Sequence, residues 1–145
     1  MRIHTASEGI TLAKTLENTS AQFYETAANR YPEATELFLA FAKENQKNVA
    51  YIQRTYYGVI TDAIEGSYCF DIDPDRYAFK AHLSATDSYA RAVEKAVEIE
   101  ENFIAFYSEA AEQSKPLMAD IPRAFSMIAK KRQKRLAQLK QLVEQ

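Results

Sequence analysis

Two matched motifs contain the side chains of this chain that could bind a metal ion or form buried ion pairs. In each half of the sequence a glutamate precedes a tyrosine by seven positions, and two polar residues three positions apart follow in the next amphipathic segment: Glu17, Tyr24, Asn45 and Asn48, then Glu100, Tyr107, Arg132 and Arg135. Carboxylates can bind metal ions, whereas a guanidinium group has no acceptor and forms ion pairs instead. These residue types therefore allow either a metal centre or an internal network of ion pairs.

Amphipathic helices must position the motifs of the first half. Thr5 and Glu8 form a capping-box pattern ahead of an apolar repeat with steps of three and four, which predicts a first helix that ends at Tyr31-Pro32. Pro32 can open a second helix, which stops near Gly58. The inward face predicted for the first helix comprises Ile10, Ala13, Glu17, Ser20, Tyr24 and Ala27. That of the second comprises Leu37 or Phe38, Phe41, Asn45, Asn48 or Val49, Ile52 and Tyr56.

The second half repeats this arrangement. Ser84 and Asp87 offer a start for a third helix, and a fourth begins near Asp120 with Pro122 in its first turn. The inward face of the third helix comprises Tyr89, Val93, Ala96, Glu100, Phe103, Tyr107 and Ala110. That of the fourth comprises Phe125, Ile128, Arg132, Arg135, Leu139 and Leu142. The polar motif residues thus lie on apolar faces, and we expect them to point inward at a similar level.

The connection between the halves, about residues 59–83, lacks this periodicity. Such a long connection in a compact domain usually has a role, and here it can cross from one end of the helices to the other. A short helical piece is predicted within 75–82. Asp71-x-Asp73-x-Asp75 resembles the opening of a calcium loop, but Arg76 replaces the glycine at the sixth position and His82 the glutamate at the twelfth. A turn or helix cap is the better interpretation.

Composition supports a mostly helical chain and excludes several classes of function. The 145 residues suit one domain, 1–145, and contain three glycines and four prolines. The formal net charge of −2 gives no electrostatic case for a nucleic-acid partner. Cys69 is the single cysteine, which excludes an internal disulfide and a cysteine-based zinc site. No apolar run approaches the roughly 20 residues of a membrane span, and the first residues lack an apolar signal core, so a cytoplasmic location is expected.

The two halves read as an internal duplication. The segment Leu16–Tyr24 aligns with Ile99–Tyr107, and both continue into alanine-rich ends. The distance from the tyrosine to the next polar motif is 21 residues in the first half and 25 in the second. This difference is close to one helical turn, so a longer second hairpin keeps the same faces inward.

On these motifs the chain resembles the ferritin-like superfamily, in particular rubrerythrin-like domains, from Glu8 to about Leu142. The resemblance rests on the paired Glu-x6-Tyr motifs, the Phe-Tyr pairs that end them, the duplicated hairpins and the crossover. It implies an all-α fold: a ferritin-like four-helix bundle from two helical hairpins joined by a long crossover. Active members bind two irons through one Glu from each of two helices and a Glu-x-x-His pair from each of the other two, and act as peroxidases, ferroxidases or oxygenases.

Four of those six ligand positions are substituted here. Asn45 and Asn48 stand where the family has Glu and His on its second helix, and Arg132 and Arg135 stand there on its fourth. An amide replaces a bridging carboxylate poorly, and arginine cannot bind a metal cation. The two retained glutamates cancel the arginines formally, and a core tolerates charges when they are paired. We therefore expect a degenerate di-iron site without metal or other cofactor, held by internal salt bridges, with Tyr24 and Tyr107 bonded to the cluster.

The expected function is that of a non-catalytic binding or scaffold protein. By resemblance to the family we expect a homodimer, and its contact, or that with an unknown protein partner, would use the crossover and outer aromatic residues such as Tyr51, Tyr56, Tyr57 and Tyr68. Neither nucleic acid nor a membrane is expected as a partner.

Two alternatives stay open. A divergent di-metal carboxylate oxidoreductase, of peroxidase or ferroxidase type, could hold iron or manganese through Glu17, Glu100 and a neighbour turned inward by a shift in register: Glu44, Glu98 or Glu101. Alternatively, Arg132 and Arg135 could bind a small anion, because guanidinium forks suit carboxylates and phosphates.

Overall fold

The computed structural model describes residues 2–59, 68–79, 82–117 and 119–143. The helices are α1 (Ala6–Arg30), α2 (Thr35–Val59), α3 (Pro74–Tyr77), α4 (Tyr89–Gln113) and α5 (Asp120–Val143), and a 3-10 turn at Pro32–Ala34 joins α1 to α2. Two short strands, β1 (Ile3–Thr5) and β2 (Tyr68–Ile72), form a small antiparallel sheet. The architecture is mostly helical, which confirms the all-α class at this level.

The first helix begins and ends as its sequence predicts. The hydroxyl of Thr5 accepts a hydrogen bond from the Glu8 backbone N–H at 3.1 Å, and the Glu8 carboxylate accepts one from the Thr5 N–H at 3.0 Å. This reciprocal capping box satisfies two backbone donors that the first turn leaves without partners. At the other end Tyr31 is extended, with φ of −117°, and Pro32 opens the 3-10 turn.

The predicted start of α4 is wrong by several residues. The helix begins at Tyr89, and its N-cap is Ser88. Asp87 closes a turn instead: its carboxylate accepts from the Ser84 N–H at 2.8 Å and from the Lys95 ammonium at 2.5 Å. The hydrogen bond from Lys95 is the largest cause that lowers the pKa of Asp87 to about 2. Because the turn and the lysine use this carboxylate, the neighbouring serine takes the capping role.

The helix faces predicted to point inward form the core. The most extensive contacts join α1 to α2 and α4 to α5, and α2 also packs on α5. Of the alternatives left by the periodicity, Phe38 and Asn48 are fully buried, whereas Leu37 and Val49 are half-buried. Tyr89 and Leu142 are half-buried where the core ends, and the other predicted inward positions are buried. Periodicity therefore identified the buried faces.

The small sheet was not predicted. β1 is too short to show an alternating pattern, and its partner lies more than 60 residues away, with Ile3 opposite Ile72. The sheet places the Phe70 ring directly on α1, where a Cβ built at Gly9 would lie 2.5 Å from Phe70 Cε2. Glycine is therefore required at position 9 for this close approach.

The rest of the connection is partly as predicted. The predicted piece at 75–82 is a shorter helix, α3, which begins one residue earlier and ends at Tyr77. Asp73 caps it, because its carboxylate accepts from the Asp75 N–H at 3.0 Å, in line with the cap interpretation of this acidic run. Residues 60–67 and 80–81 of the predicted crossover lie outside the described residues. In the part of the chain that the structure describes, no helix has the length and apolar character that crossing a bilayer requires.

Candidate functional site

All eight motif residues converge in the core, two from each long helix. α1 contributes Glu17 and Tyr24, α2 the two asparagines, α4 Glu100 and Tyr107, and α5 the two arginines. Each of the eight residues is at most 1% exposed. The helical repeat explains this, since residues three or seven apart lie on one face. We call these eight residues the core cluster.

Arg132 is the centre of the core cluster. Its Nη1 donates to both carboxylate oxygens of Glu100, at 3.0 and 2.7 Å, and its Nη2 donates to Glu17 Oε1 at 2.6 Å and also to Oε2. The guanidinium plane lies over the Phe103 ring, with Cζ 3.7 Å from the ring centroid. One cation therefore joins the two carboxylates, and α5 is bonded through it to α1 and α4.

Arg135 has closer contacts with neutral groups than with carboxylates. Its Nη1 donates to Asn45 Oδ1 at 2.9 Å and its Nη2 to the Phe41 backbone carbonyl at 2.9 Å. The nearest carboxylate oxygens, those of Glu100 and Glu44, are both 3.8 Å away. Three residues advance a helix by about 4.5 Å, so Arg135 is displaced along α5 from the level of the paired glutamates. Arg135 thus pairs with Glu100 only at long range, and its hydrogen bonds go to neutral partners.

The tyrosines tie each half of the chain to the other. Tyr24 donates to Glu100 Oε2 at 2.6 Å, and Tyr107 donates to Glu17 Oε2 at 3.0 Å. Asn48 Nδ2 adds a bond to Glu17 Oε1 at 3.2 Å. Each glutamate therefore accepts a hydrogen bond from the tyrosine of the opposite motif.

Ser20 is a polar neighbour of the core cluster, predicted to face inward but not among the motif residues. Its hydroxyl accepts from Asn45 Nδ2 at 3.0 Å and lies 3.5 Å from Arg132 Nη1. It follows Glu17 by three residues, and the equivalent position after Glu100 is Phe103. The two halves differ here because the serine bonds to the polar groups, whereas the phenyl ring stacks on the guanidinium. A polar residue at that spacing was the signal that could have identified it.

Burial and pairing set the ionisation of the cluster. Burial raises the pKa of Tyr24 and of Tyr107 well above 10, and the facing carboxylates reinforce this. For Arg132 burial acts to lower the pKa, but Glu100 and Glu17 outweigh it, so the net pKa is raised. Burial and the neighbouring Arg132 lower the pKa of Arg135. The two arginines thus differ: the first is fully compensated by carboxylates, and the second is not.

The residues of the cluster do not fit a di-metal centre. The oxygens of both glutamates already bind a guanidinium, and two divalent cations would lie beside two fixed positive charges. The carboxylates considered for a shifted register lie outside: Glu44 is about one-third exposed, Glu98 binds Arg91 at the surface, and Glu101 is exposed. Among the described residues, no three His, Cys, Asp or Glu side chains lie where they could share a metal ion.

Other candidate residues lie apart from the cluster. Cys69 in β2 is half-buried, and burial raises the pKa of its thiol to about 11. The Nδ1 atom of His4 lies 3.3 Å from the Phe70 carbonyl oxygen, in the small sheet.

Comparisons with protein-family models, curated proteins and solved structures gave no match. The fold and the site define a mostly helical protein whose core contains a fully buried cluster of ion pairs.

Alkaline pH is expected to weaken the fold through Tyr24 and Tyr107. Their pKa values in the folded protein lie well above the value of about 10 for an unfolded tyrosine. Their contribution to stability is therefore complete below about pH 10 and is lost as the pH rises above it. Urea unfolding across this range should show the loss. The variant Tyr24→Phe/Tyr107→Phe should reduce it, whereas Tyr57→Phe, at a position 67% exposed, should not. Identical alkaline profiles for both variants would contradict this assignment.

Proposed function

We propose that this chain is a single ferritin-like domain, a four-helix bundle of two hairpins, in which the core cluster replaces a di-iron site. The observation that carries the proposal is the position of Arg132, whose guanidinium lies between Glu17 and Glu100 and bonds to both. In the family that the chain resembles, these two glutamates would share two metal ions. Here a side chain supplies the positive charge.

The cluster then acts as a structural device. One guanidinium joins carboxylates from two different helices, and the tyrosines and asparagines use most of the remaining bonding capacity. A buried network of this kind adds little net stability over an apolar core, but any one missing member leaves a charge without its partner. We therefore infer that the cluster fixes the relative positions of the four long helices.

A protein with such a core works through its surface, and we propose a non-catalytic binding or scaffold function. Of the aromatic residues considered for partner contacts, Tyr57 is 67% exposed, Tyr51 is half-buried and Tyr56 is buried. Tyr56 is therefore not an outer contact residue, and the side chain of Tyr68 lies outside the described residues. A homodimer, an unknown protein partner and a cytoplasmic location stay predictions.

Elemental analysis of the purified protein tests the proposal. The protein is expressed with added iron and manganese and purified without a metal-binding tag. We expect less than about one-tenth of a metal ion per chain, because protein charges already occupy the carboxylates and a metal must displace Arg132. One or two metal ions per chain, retained after dialysis against a weak chelator, would contradict the proposal and favour the di-metal oxidoreductase.

A further inference from the structure

A groove of about 790 Å³ lies between α2 and α5, on the outer side of the core cluster. This volume falls in the range of sites that hold small molecules. Four lysines line its walls, two from each helix: Lys43, Lys47, Lys131 and Lys134. Arg135 forms its buried side, and among the described residues Glu44 is the one carboxylate of the lining. The lining is therefore strongly basic, although the whole chain has a formal net charge of −2.

The lysines face the groove as two short rows. Lys43 and Lys47 are four residues apart on α2, and Lys131 and Lys134 are three apart on α5, so each pair lies on one helix face. The ammonium of Lys131 also lies 5.8 Å from the ring centroid of Tyr51. Like charges gathered on facing helices repel one another, so their proximity favours an anion between them.

Arg135 connects this groove to the core. Its side chain is 2% exposed, and its Nε has no hydrogen-bond partner among the described residues. Arg132 bonds to both buried glutamates, and the carboxylate oxygens nearest to Arg135 are 3.8 Å away, one of them from Glu44, which is about one-third exposed. Burial and Arg132 lower the pKa of Arg135, as expected for a cation that is compensated incompletely. A buried guanidinium with unused donor capacity can bind an anion strongly.

We propose that the groove between α2 and α5 binds a small anion with two or more negative charges, of the phosphate or diphosphate class. The lysines supply the walls, and Arg135 supplies a charged donor at the buried side. Glu44 pairs with Arg135 when the anion is absent and competes with it. This proposal does not depend on the ferritin-like ancestry, because it uses surface residues and an arginine that the ion pairs of the cluster leave undercompensated.

The dimensions favour a small anion over a polymer. Each lysine pair spans about one helical turn, which is roughly 5 Å along the axis. A nucleic acid requires a basic stripe that continues over many phosphates, and the acidic balance of the whole chain opposes it. A single phosphate or diphosphate matches the short double row and the guanidinium.

Isothermal titration calorimetry with sodium diphosphate, at constant ionic strength, tests the proposal. We expect saturable binding of one diphosphate per chain. The variant Lys43→Gln/Lys134→Gln should bind at least about tenfold more weakly, because the loss of one charge-assisted contact already changes the affinity by that order. The variant Lys130→Gln/Lys140→Gln removes the same charge from α5 outside the groove and should change the affinity less than about twofold. Equal losses in the two variants would overturn the site assignment.

Glu44→Gln provides a test of opposite sign. Removing the competing carboxylate should strengthen diphosphate binding, and unchanged or weaker binding would contradict the role of Arg135.

Co-sedimentation with vesicles that contain phosphatidic acid tests whether the bound phosphate group belongs to a lipid or to a free anion. Vesicle binding without saturable diphosphate binding would overturn the proposal, whereas diphosphate binding that Lys43→Gln/Lys134→Gln abolishes and Lys130→Gln/Lys140→Gln preserves would support it. Neither result changes the metal content, so this test and that of the proposed function can fail separately.

Discussion

Replacing Arg132 with methionine is expected to destabilise the protein by about 3–5 kcal/mol, the effect of removing one partner from a buried ion pair. The change leaves two carboxylates facing each other in the core, where both are fully buried and each retains a tyrosine donor. Methionine is neutral and of similar length, so it fills part of the volume of the arginine. The loss of stability therefore reflects the unpaired carboxylates more than the loss of packing. Urea unfolding at neutral pH, followed by circular dichroism, measures it.

A surface arginine supplies the matched control. Arg123 on the same helix is 3.6 Å from Asp120, and both side chains are more than half exposed. Arg123→Met should change the free energy of unfolding by less than about 0.5 kcal/mol. In contrast, adding Glu17→Gln and Glu100→Gln to Arg132→Met should restore much of the lost stability, since both carboxylates are then neutral amides and Arg135 keeps Glu44. If the triple change is as damaging as the sum of its parts, the ion-pair network does not act as a unit.

Introducing the ligand pattern of the proposed ferritin-like family is expected to produce a large gain: two divalent metal ions per chain. The changes are Asn45→Glu, Asn48→His, Arg132→Glu and Arg135→His, which place a Glu-x-x-His pair on α2 and another on α5. Together with Glu17 and Glu100 they complete the six-ligand set at positions that already converge. Without metal, four buried carboxylates repel one another, so manganese or cobalt(II) should raise the melting temperature of this variant strongly.

The readouts of this experiment distinguish a variant that fails to fold from one that folds but does not bind metal. Circular dichroism establishes whether the variant is helical, and elemental analysis after dialysis gives the metal content. The same variant with Glu17→Gln added should bind less metal, because it lacks one of the two retained glutamates. A variant that folds when metal is added at millimolar concentration but retains none after dialysis would contradict the ferritin-like assignment of these positions.

The buried faces of the long helices could be predicted from the sequence, because they depend on local rules. The capping box at Thr5 and Glu8 and the steps of three and four residues are properties of a single helix. The same rules placed the two glutamates and the two arginines inward, and the spacings of the two halves, which differ by about one helical turn, predicted a similar level for them. The start of α4 was missed because Asp87 resembles a capping residue until its bond to Lys95, eight residues later, is known.

By itself the sequence determined which side chains enter the core, and the tertiary structure decided how they pair. That Arg132 bonds to both glutamates while Arg135 takes a backbone carbonyl of α2 depends on the axial offset between helices. The sheet between residues 3–5 and 68–72, and the basic groove that Arg135 shares with four lysines, likewise join distant segments. The physical reason is that helical periodicity acts within one helix and fixes the direction of a side chain relative to the axis of that helix. An ion pair between two helices depends on their relative positions to within about 1 Å, and only the packing of the helices sets those positions.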